Sequence, residues 1–211
     1  MPFWNRPRIP DSIVLPPLWR RHASTLLVLA LVASGVVCAR SVDRSGVAPT
    51  PGGDTARYHD QTFRVARVVD GDTLDIEAAD RDKSVTRIRL WGVDTPEVAG
   101  TRGGRMHFGP EASEFAKQTL TDRDVHIVLS PKRTRGKYGR LLAYVFMSRG
   151  GRMFNEMLLE GGYAYADLRF DHHYIDRFKR IEKHARRSGA GLWADVTLEK
   201  MPAWRQRFEK D

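Results

Sequence analysis

Cysteine is almost absent from this sequence, and its single residue, Cys38, lies in an apolar N-terminal segment. A disulfide framework and a cysteine-based zinc site are therefore excluded in the rest of the chain. The histidines form no His-Glu-x-x-His pattern, and the Gly-x-Ser-x-Gly elbow and the Walker-type phosphate loop are also missing. The fold must rest on its hydrophobic core, and any catalytic chemistry must come from other residues.

Long hydrophobic runs are also lacking, apart from one uncharged stretch of 17 residues from Ala23 to Ala39. This length is the lower limit for crossing a bilayer. Because Arg20 and Arg21 precede the stretch and small residues end it, the pattern favours a cleaved signal peptide. An uncleaved membrane anchor and a buried helix remain alternatives. We predict an exported protein, periplasmic or secreted, with membrane attachment through residues 23–39 as the alternative.

The chain divides into four segments of different composition. Residues 1–39 contain the signal peptide or anchor, and residues 40–60, rich in serine, glycine and proline, are predicted to be a flexible linker. A domain of ordinary size follows over residues 61–194. Residues 195–211 form a charged tail, for which the pattern leaves a helix and a frayed end equally open.

The charge is unbalanced, with 35 Lys and Arg against 26 Asp and Glu, a net charge of +9. A basic surface raises the local concentration of polyanions, which are nucleic acids or anionic lipids. Composition alone does not separate these two partners.

In the folded part, some segments have the residue pattern of strands, and others have apolar residues at helical spacing. Asp70-Gly71 between two β-branched runs indicates a hairpin, and Gly109-Pro110 opens a helix. The order is three strands, a helix, two strands and two helices. It predicts an α+β domain built on a five-stranded barrel of the oligonucleotide-binding (OB) type with three helices. The predicted strands are Phe63–Val69, Thr73–Ala78, Val85–Gly92, Val125–Leu129 and Leu141–Met147.

Acidic residues flank the predicted hairpin. They do not form an EF-hand, because Asp75 and Arg81 stand where that loop needs a glycine and an acid. We interpret Asp70 as a turn residue, Asp75 as a solvated strand residue and Asp72 as a side chain that can point inward.

A second acidic turn follows the third strand, where Thr95-Pro96 ends the strand between Asp94 and Glu97. Closely packed carboxylates require a cation, and their hard oxygens favour Ca²⁺ or Mg²⁺. Arg89, one strand back, presents a guanidinium group suited to phosphate. An ordinary surface turn with a salt bridge remains an equal alternative.

A glycine-flanked basic loop runs from Gly136 to Arg140. Lys137 and Arg140 can reach a phosphate group, and Tyr138 can stack on a base. The alternative is an ordinary basic hairpin loop. The pair His172-His173 is predicted to be the exposed start of a helix.

Taken together, these residues resemble the staphylococcal nuclease (thermonuclease) family from about Phe63 to Trp193. Each motif is modest, but their order and spacing make a strong joint signal. The motifs are Val69-Asp70-Gly71-Asp72-Thr73, Arg89 five residues before Asp94, Val93-Asp94-Thr95-Pro96-Glu97, Gly109-Pro110-Glu111-Ala112-Ser113, Lys137-Tyr138-Gly139-Arg140, Asn155-Glu156 and Gly191-Leu192-Trp193.

The resemblance implies a Ca²⁺-dependent nuclease that hydrolyses DNA and RNA at the 5′-oxygen bond and leaves 3′-phosphates. It implies that Ca²⁺ binds the Asp72 and Asp94 side chains and the Thr95 carbonyl, and that Glu97 acts as the general base. It further implies that Arg89 and Arg140 hold the phosphate and stabilise the transition state. Lys137 and Tyr138 would contact the substrate. We expect a monomer, and the sequence indicates no protein partner.

One part of the family pattern is altered. Two tyrosines that the family uses near the base align with Leu168 and Phe170. Base stacking and substrate preference are therefore left open. Two other functions are also alternatives: a non-catalytic OB-fold module that binds nucleic acid or protein, and a membrane-anchored protein whose basic surface meets anionic lipid.

Overall fold

The computed structural model describes residues 53–98 and 104–210. The apolar segment 23–39 and most of the predicted linker lie outside these ranges. Within them, no helix is long and apolar enough to cross a membrane.

Five strands form a closed barrel, which confirms the predicted fold class. They follow one another around the barrel in the order β1-β2-β3-β6-β5. β3 and β6 are parallel, whereas the other neighbours are antiparallel. The barrel strands are β1 (Gln61–Val68), β2 (Thr73–Ile76), β3 (Thr86–Leu90), β5 (Asp124–Leu129) and β6 (Leu141–Phe146). Each of the five predicted strands is present, with ends that differ by at most two residues.

Alternating apolar side chains fill the barrel, among them Ile76, Ile88, Ile127 and Val145, which are fully buried. This burial is the main stabilising term, since removing apolar surface from water contributes about 25 cal/mol per Å². Two short strands, β4 (Val93–Asp94) and β7 (Tyr165–Ala166), pair separately. β4 follows directly after β3, and β7 follows α3 (Phe154–Glu160) much later in the chain.

The described residues contain five α-helices rather than the predicted three. They are α1 (Gly53–Tyr58), α2 (Gly109–Leu120), α3 (Phe154–Glu160), α4 (Ile175–Arg187) and α5 (Ala203–Lys210), with 3₁₀ turns at Gly191–Ala194 and Leu198–Lys200. The predicted helices correspond to α2, α3 and α4. The two additional helices lie in the predicted linker and in the charged tail.

Both additional helices carry side chains that are buried in the fold. In α1, Tyr58 is buried, and Asp54 accepts hydrogen bonds from Nε and Nη2 of Arg135 at 2.7 and 2.8 Å. In α5, Trp204 and Arg205 are buried. The end of the linker is therefore helical at Gly53–Tyr58, and the tail is helical over most of its length.

Two polar residues occupy positions other than those predicted. Asp75 is buried between the guanidinium groups of Arg67 and Arg87 and is not solvated. His172 is also buried, and its Nδ1 lies 3.2 Å from the hydroxyl of Tyr144. In both cases a polar partner on a distant element compensates for burial.

Candidate active site

The turn between β1 and β2 presents Asp72 inward. Val69 and Asp70 donate their N–H groups to the carbonyl of Thr73, which closes the predicted hairpin. The side chain of Asp70 accepts the N–H of Asp72 at 3.0 Å, as Asp residues do in such turns. The Asp72 carboxylate is buried and accepts the Thr73 hydroxyl at 3.1 Å. Its orientation is therefore set by local hydrogen bonds.

One arginine links Asp72 to the acidic turn that follows β3. The guanidinium group of Arg89 forms salt bridges with both Asp72 and Asp94, and it also donates to the carbonyl of Val93 at 3.3 Å. The N–H of Thr95 donates to the second carboxylate oxygen of Asp72 at 2.9 Å. Asp72 and Asp94 thus lie around a single cationic group, and Thr95 is bonded to Asp72.

Glu97 is held at the start of α2. Its carbonyl accepts the N–H of Met106 at 2.9 Å and lies so close to Gly109 that a side chain there would collide with it. The Glu97 side chain is exposed towards the cavity. Partial burial of its carboxyl group, followed by the nearby charges of Asp70 and Asp94, raises its pKa.

The basic loop faces these acids from the opposite side. Nη1 of Arg140 lies 3.5 Å from the hydroxyl of Thr73. Burial and the charge of Arg89 lower the pKa of Arg140, although an arginine remains charged in such a setting. Tyr138 is 72% exposed, and the ammonium of Lys137 lies 4.7 Å from its ring centroid. The loop therefore offers two cations and an accessible aromatic face.

The predicted site residues meet at one cavity of about 550 Å³. Asp72 and Thr95 lie behind its wall, linked to it through Arg89 and Asp94. The cavity is lined by six of the eight predicted residues, Arg89, Asp94, Glu97, Lys137, Tyr138 and Arg140.

The donor chemistry here suits a hard divalent cation. Asp72 and Asp94 provide carboxylate oxygens and Thr95 a backbone carbonyl, which are the ligand types that Ca²⁺ prefers. Residues 53–98 and 104–210 contain no group of three or more Asp, Glu, His or Cys side chains arranged for a metal ion. The candidate side-chain ligands are Asp72 and Asp94, because both carboxylates contact Arg89 and so lie close together.

Among the residues not predicted to belong to the site, four make contacts that shape it: Asp167, Arg169 and Phe170 at the cavity and Trp204 in the tail. Arg169 approaches Asp94 at 3.2 Å and forms a bidentate pair with Asp167, with both contacts at 2.8 Å. The indole N–H of Trp204 donates to Oδ2 of Asp94 at 2.7 Å. Phe170 lines the cavity and stacks on Trp91. The contacts with Asp94 and Trp91 join residues that are far apart along the chain, so no periodicity in the sequence marks them.

Comparison with known proteins identifies the family of this chain. The family model described as Staphylococcal nuclease homologue matches residues 87–195. A thermonuclease from Staphylococcus hyicus is 34% identical over 176 residues, which cover 83% of this chain and 99% of that protein. A thermonuclease from Staphylococcus intermedius is 35% identical over 134 residues, 63% of this chain and 76% of that protein.

A third relative carries the word endonuclease in its name. The SPbeta prophage-derived endonuclease YokF of Bacillus subtilis is 31% identical over 130 residues, which cover 61% of this chain and 42% of that protein. The chain belongs to the staphylococcal nuclease family and is a phosphodiester-hydrolysing nuclease.

Proposed function

We propose that this nuclease cleaves both DNA and RNA in a Ca²⁺-dependent reaction that breaks the bond between phosphorus and the 5′-oxygen. The observation that carries the proposal is the placement of Arg89 between Asp72 and Asp94, at a cavity that Glu97 and Arg140 also face. Opposite charges suited to a cation and to a phosphate are thus present in one place.

The acidic side of the cavity would hold the cation. Asp72 and Asp94 supply side-chain oxygens, and Thr95 supplies its carbonyl. When bound, Ca²⁺ withdraws electron density from a non-bridging phosphate oxygen and makes the phosphorus more electrophilic. The buried hydrogen bonds of Asp72 fix its carboxylate before a ligand arrives, so less ordering is needed on binding.

Glu97 is the candidate general base. It takes a proton from the attacking water as the new phosphorus–oxygen bond forms, and the bond to the 5′-oxygen breaks. The leaving oxygen takes up a proton from solvent, which yields a 3′-phosphate and a 5′-hydroxyl. Burial of the Glu97 carboxyl group, the largest cause of its raised pKa, brings that pKa closer to the operating pH of a base.

The guanidinium groups of Arg89 and Arg140 stabilise the additional negative charge on the pentacoordinate phosphate. Both line the cavity, and both present several N–H donors in a plane. Such preorganised donors act most strongly where charge develops in the transition state. Lys137 and Tyr138 then contact the neighbouring phosphate and base.

Export and a monomeric state complete the proposal. Both rest on the sequence alone: the apolar segment 23–39 behind two arginines supports export, with an uncleaved anchor as the alternative. A periplasmic or secreted location would expose the site to millimolar Ca²⁺, a level at which weak extracellular calcium sites are occupied.

The test uses the full chain with single-stranded DNA, duplex DNA and RNA, each with Ca²⁺ and with a chelator. We expect degradation only with Ca²⁺. Glu97→Gln and Arg140→Ala should each slow the cleavage rate about 10²–10³-fold, because each removes a group that acts in the transition state. End-group analysis of the products should find 3′-phosphates.

Matched surface variants serve as controls. Glu111→Gln in α2 and Arg180→Ala in α4 change exposed side chains that form no side-chain hydrogen bond or salt bridge with any described residue. They should cleave as the wild type does. Cleavage that persists in chelator would refute the Ca²⁺ requirement. Binding without cleavage would favour the non-catalytic module.

A further inference from the structure

The C-terminal helix contacts the active site directly. From α5, the indole N–H of Trp204 donates to Oδ2 of Asp94 at 2.7 Å. The other oxygen of the same carboxylate contacts Arg89 and Arg169. Trp204 therefore occupies Oδ2 of the Asp94 carboxylate, and Oδ1 faces the guanidinium groups of Arg89 and Arg169. Trp204 lies beyond residues 87–195, the segment that matches the family model.

Trp204 is itself fixed by its surroundings. It is 7% exposed, and its ring packs edge-on against Tyr165, with 6.4 Å between centroids. Tyr165 pairs with Asp94 across β4 and β7. The guanidinium group of Arg169 lies 4.4 Å from the ring centroid of Trp204. The indole thus contacts both Tyr165, the strand partner of Asp94, and an arginine that pairs with Asp94.

A buried ion pair anchors α5 at the same strands. Arg205 donates to Glu182 of α4 at 2.8 Å and to the carbonyl of Ala166 at 3.4 Å. The other oxygen of Glu182 accepts the N–H of Ala166 at 2.8 Å. Because Ala166 pairs with Val93, the residue before Asp94, α5 and β4 form one connected unit.

The chemistry of the indole suits an orienting role. Its N–H is a donor only and carries no charge. It can fix the rotamer of a carboxylate without repelling a divalent cation, as a lysine or an arginine in its place would. Hydrogen bonds of this kind to a ligating carboxylate set its direction and support metal binding.

We propose that α5 is a functional part of the active site and that Trp204 is a positioning residue, which orients Asp94 for the divalent cation. The proposal rests on the proposed function, since it assigns Asp94 to cation binding. It assigns Trp204 no contact with substrate or with the reacting atoms.

The chain offers a matched control. Trp193 is 8% exposed, and its ring also packs edge-on against Tyr165, at 5.4 Å. Its indole N–H has no hydrogen-bond partner among the described residues. Trp204→Phe and Trp193→Phe therefore remove the same atoms from two buried rings on one neighbour, but only Trp204→Phe removes a hydrogen bond to Asp94.

The experiment measures Ca²⁺ binding to the full chain by titration calorimetry without nucleic acid, together with the unfolding temperature and the steady-state kinetics. We expect Trp204→Phe to weaken Ca²⁺ binding about 10–100-fold relative to Trp193→Phe. Trp204→His, which keeps a ring N–H, should recover part of the affinity. Raising the Ca²⁺ concentration should restore kcat in Trp204→Phe.

Three outcomes decide the matter. Equal Ca²⁺ affinity in the two Phe variants, with a wild type that binds Ca²⁺, would overturn the role of Trp204 and leave the proposed function intact. A wild type that binds no Ca²⁺ would overturn both. If Trp204→Phe does not fold, benzothienylalanine at position 204 keeps the ring shape without the N–H, and an affinity equal to that of the wild type would again overturn the proposal.

Discussion

The α-carbon of Gly71 lies directly against the side chain of Thr95. A β-carbon at position 71 would lie 2.8 Å from both Oγ1 and Cγ2 of Thr95, which is closer than side-chain atoms can approach. The hairpin turn that presents Asp72 is therefore packed onto the residue that follows Asp94. Only glycine allows the two acidic turns to meet this closely.

Gly71→Ala should disturb both turns. The added methyl group has to displace Thr95, and such overpacking costs about 1–3 kcal/mol of unfolding free energy. We expect a loss of this size in urea denaturation and a nuclease rate lowered at least about tenfold, since small displacements in a site have such effects. In Gly71→Ala/Thr95→Ala, two of the three nearest atoms are gone, so part of the stability should return. Wild-type activity in the single variant would contradict this explanation.

The exposed aromatic ring at the cavity rim should affect substrate binding rather than chemistry. Tyr138 is the more exposed of the two exposed aromatic residues that line the cavity, at 72% against 42% for Phe170, and base–aromatic stacking contributes about 1–3 kcal/mol per base. Tyr138→Ala should therefore raise KM for single-stranded DNA about 5–100-fold and change kcat little. Tyr138→Phe keeps the ring and should match the wild type. Arg180→Ala, the exposed surface variant in α4, is the control, and an equal rise of KM there would argue against stacking at Tyr138.

Asp75 should make the stability of the barrel sensitive to acid. Burial alone raises its pKa, but hydrogen bonds from Arg87 and Arg67 outweigh burial and hold the pKa below its ordinary value of 3.8. Between the two values the unfolded chain binds more protons than the folded one. The ionised carboxylate therefore stabilises the fold above about pH 4, and this contribution is lost as the pH falls through the folded-state pKa.

Asp75→Asn tests this dependence. At neutral pH the variant should be about 1–3 kcal/mol less stable than the wild type, because charge-assisted hydrogen bonds to a buried group are lost. In strong acid the difference should vanish, since the wild type is then protonated too. Asp82→Asn, at a neighbouring exposed position, should show no difference at any pH. Urea denaturation across the acid range measures both, and a constant difference would show that the charge of Asp75 is not responsible.

The sequence predicts the barrel because alternation and turn residues are local signals. Asp70-Gly71 marks the first hairpin, and Gly109-Pro110 marks the start of α2; both are confirmed. The site residues were found through the order of family motifs, and the structure gathers them at one cavity. Their catalytic and ligand roles remain proposals.

The features that local sequence patterns do not predict depend on partners on other strands and helices. Asp75 is charged and looks solvated, but its burial is made possible by arginines on β1 and β3. Trp204 sits in a tail with little apolar periodicity, and its acceptor, Asp94, lies more than a hundred residues earlier. The pairs of Asp75 depend on the register of neighbouring strands, and the pair of Trp204 and Asp94 forms only once the chain has folded, so hydrophobic periodicity reports neither.

The buried pair of Arg205 and Glu182 should be the point at which α5 is most easily detached. Both side chains are less than a tenth exposed, and Glu182 also accepts the N–H of Ala166. Arg205→Met leaves a buried carboxylate without its cation, which costs about 3–5 kcal/mol. The loss should also depend on pH.

The direction of this pH dependence follows from the pKa of the Glu182 carboxyl group. Burial raises the pKa of Glu182, and Arg205 opposes that rise. Without the arginine the folded-state pKa rises further, so the folded variant holds a proton that the unfolded chain releases above its ordinary pKa. Arg205→Met should therefore lose stability as the pH rises, with a larger deficit at about pH 8 than at about pH 5. Urea denaturation at the two pH values measures the deficit.

Arg205→Met/Glu182→Gln separates charge from packing. Glutamine keeps the oxygen that accepts the Ala166 N–H and cannot ionise, so this double variant should recover part of the stability and lose the pH dependence. Because α5 also carries Trp204, the Ca²⁺ affinity of Arg205→Met should fall together with its stability and return in the double variant. A deficit that is the same at both pH values and unchanged in the double variant would mean that Arg205 acts through its aliphatic contacts, and that the ion pair does not hold α5 at the active site.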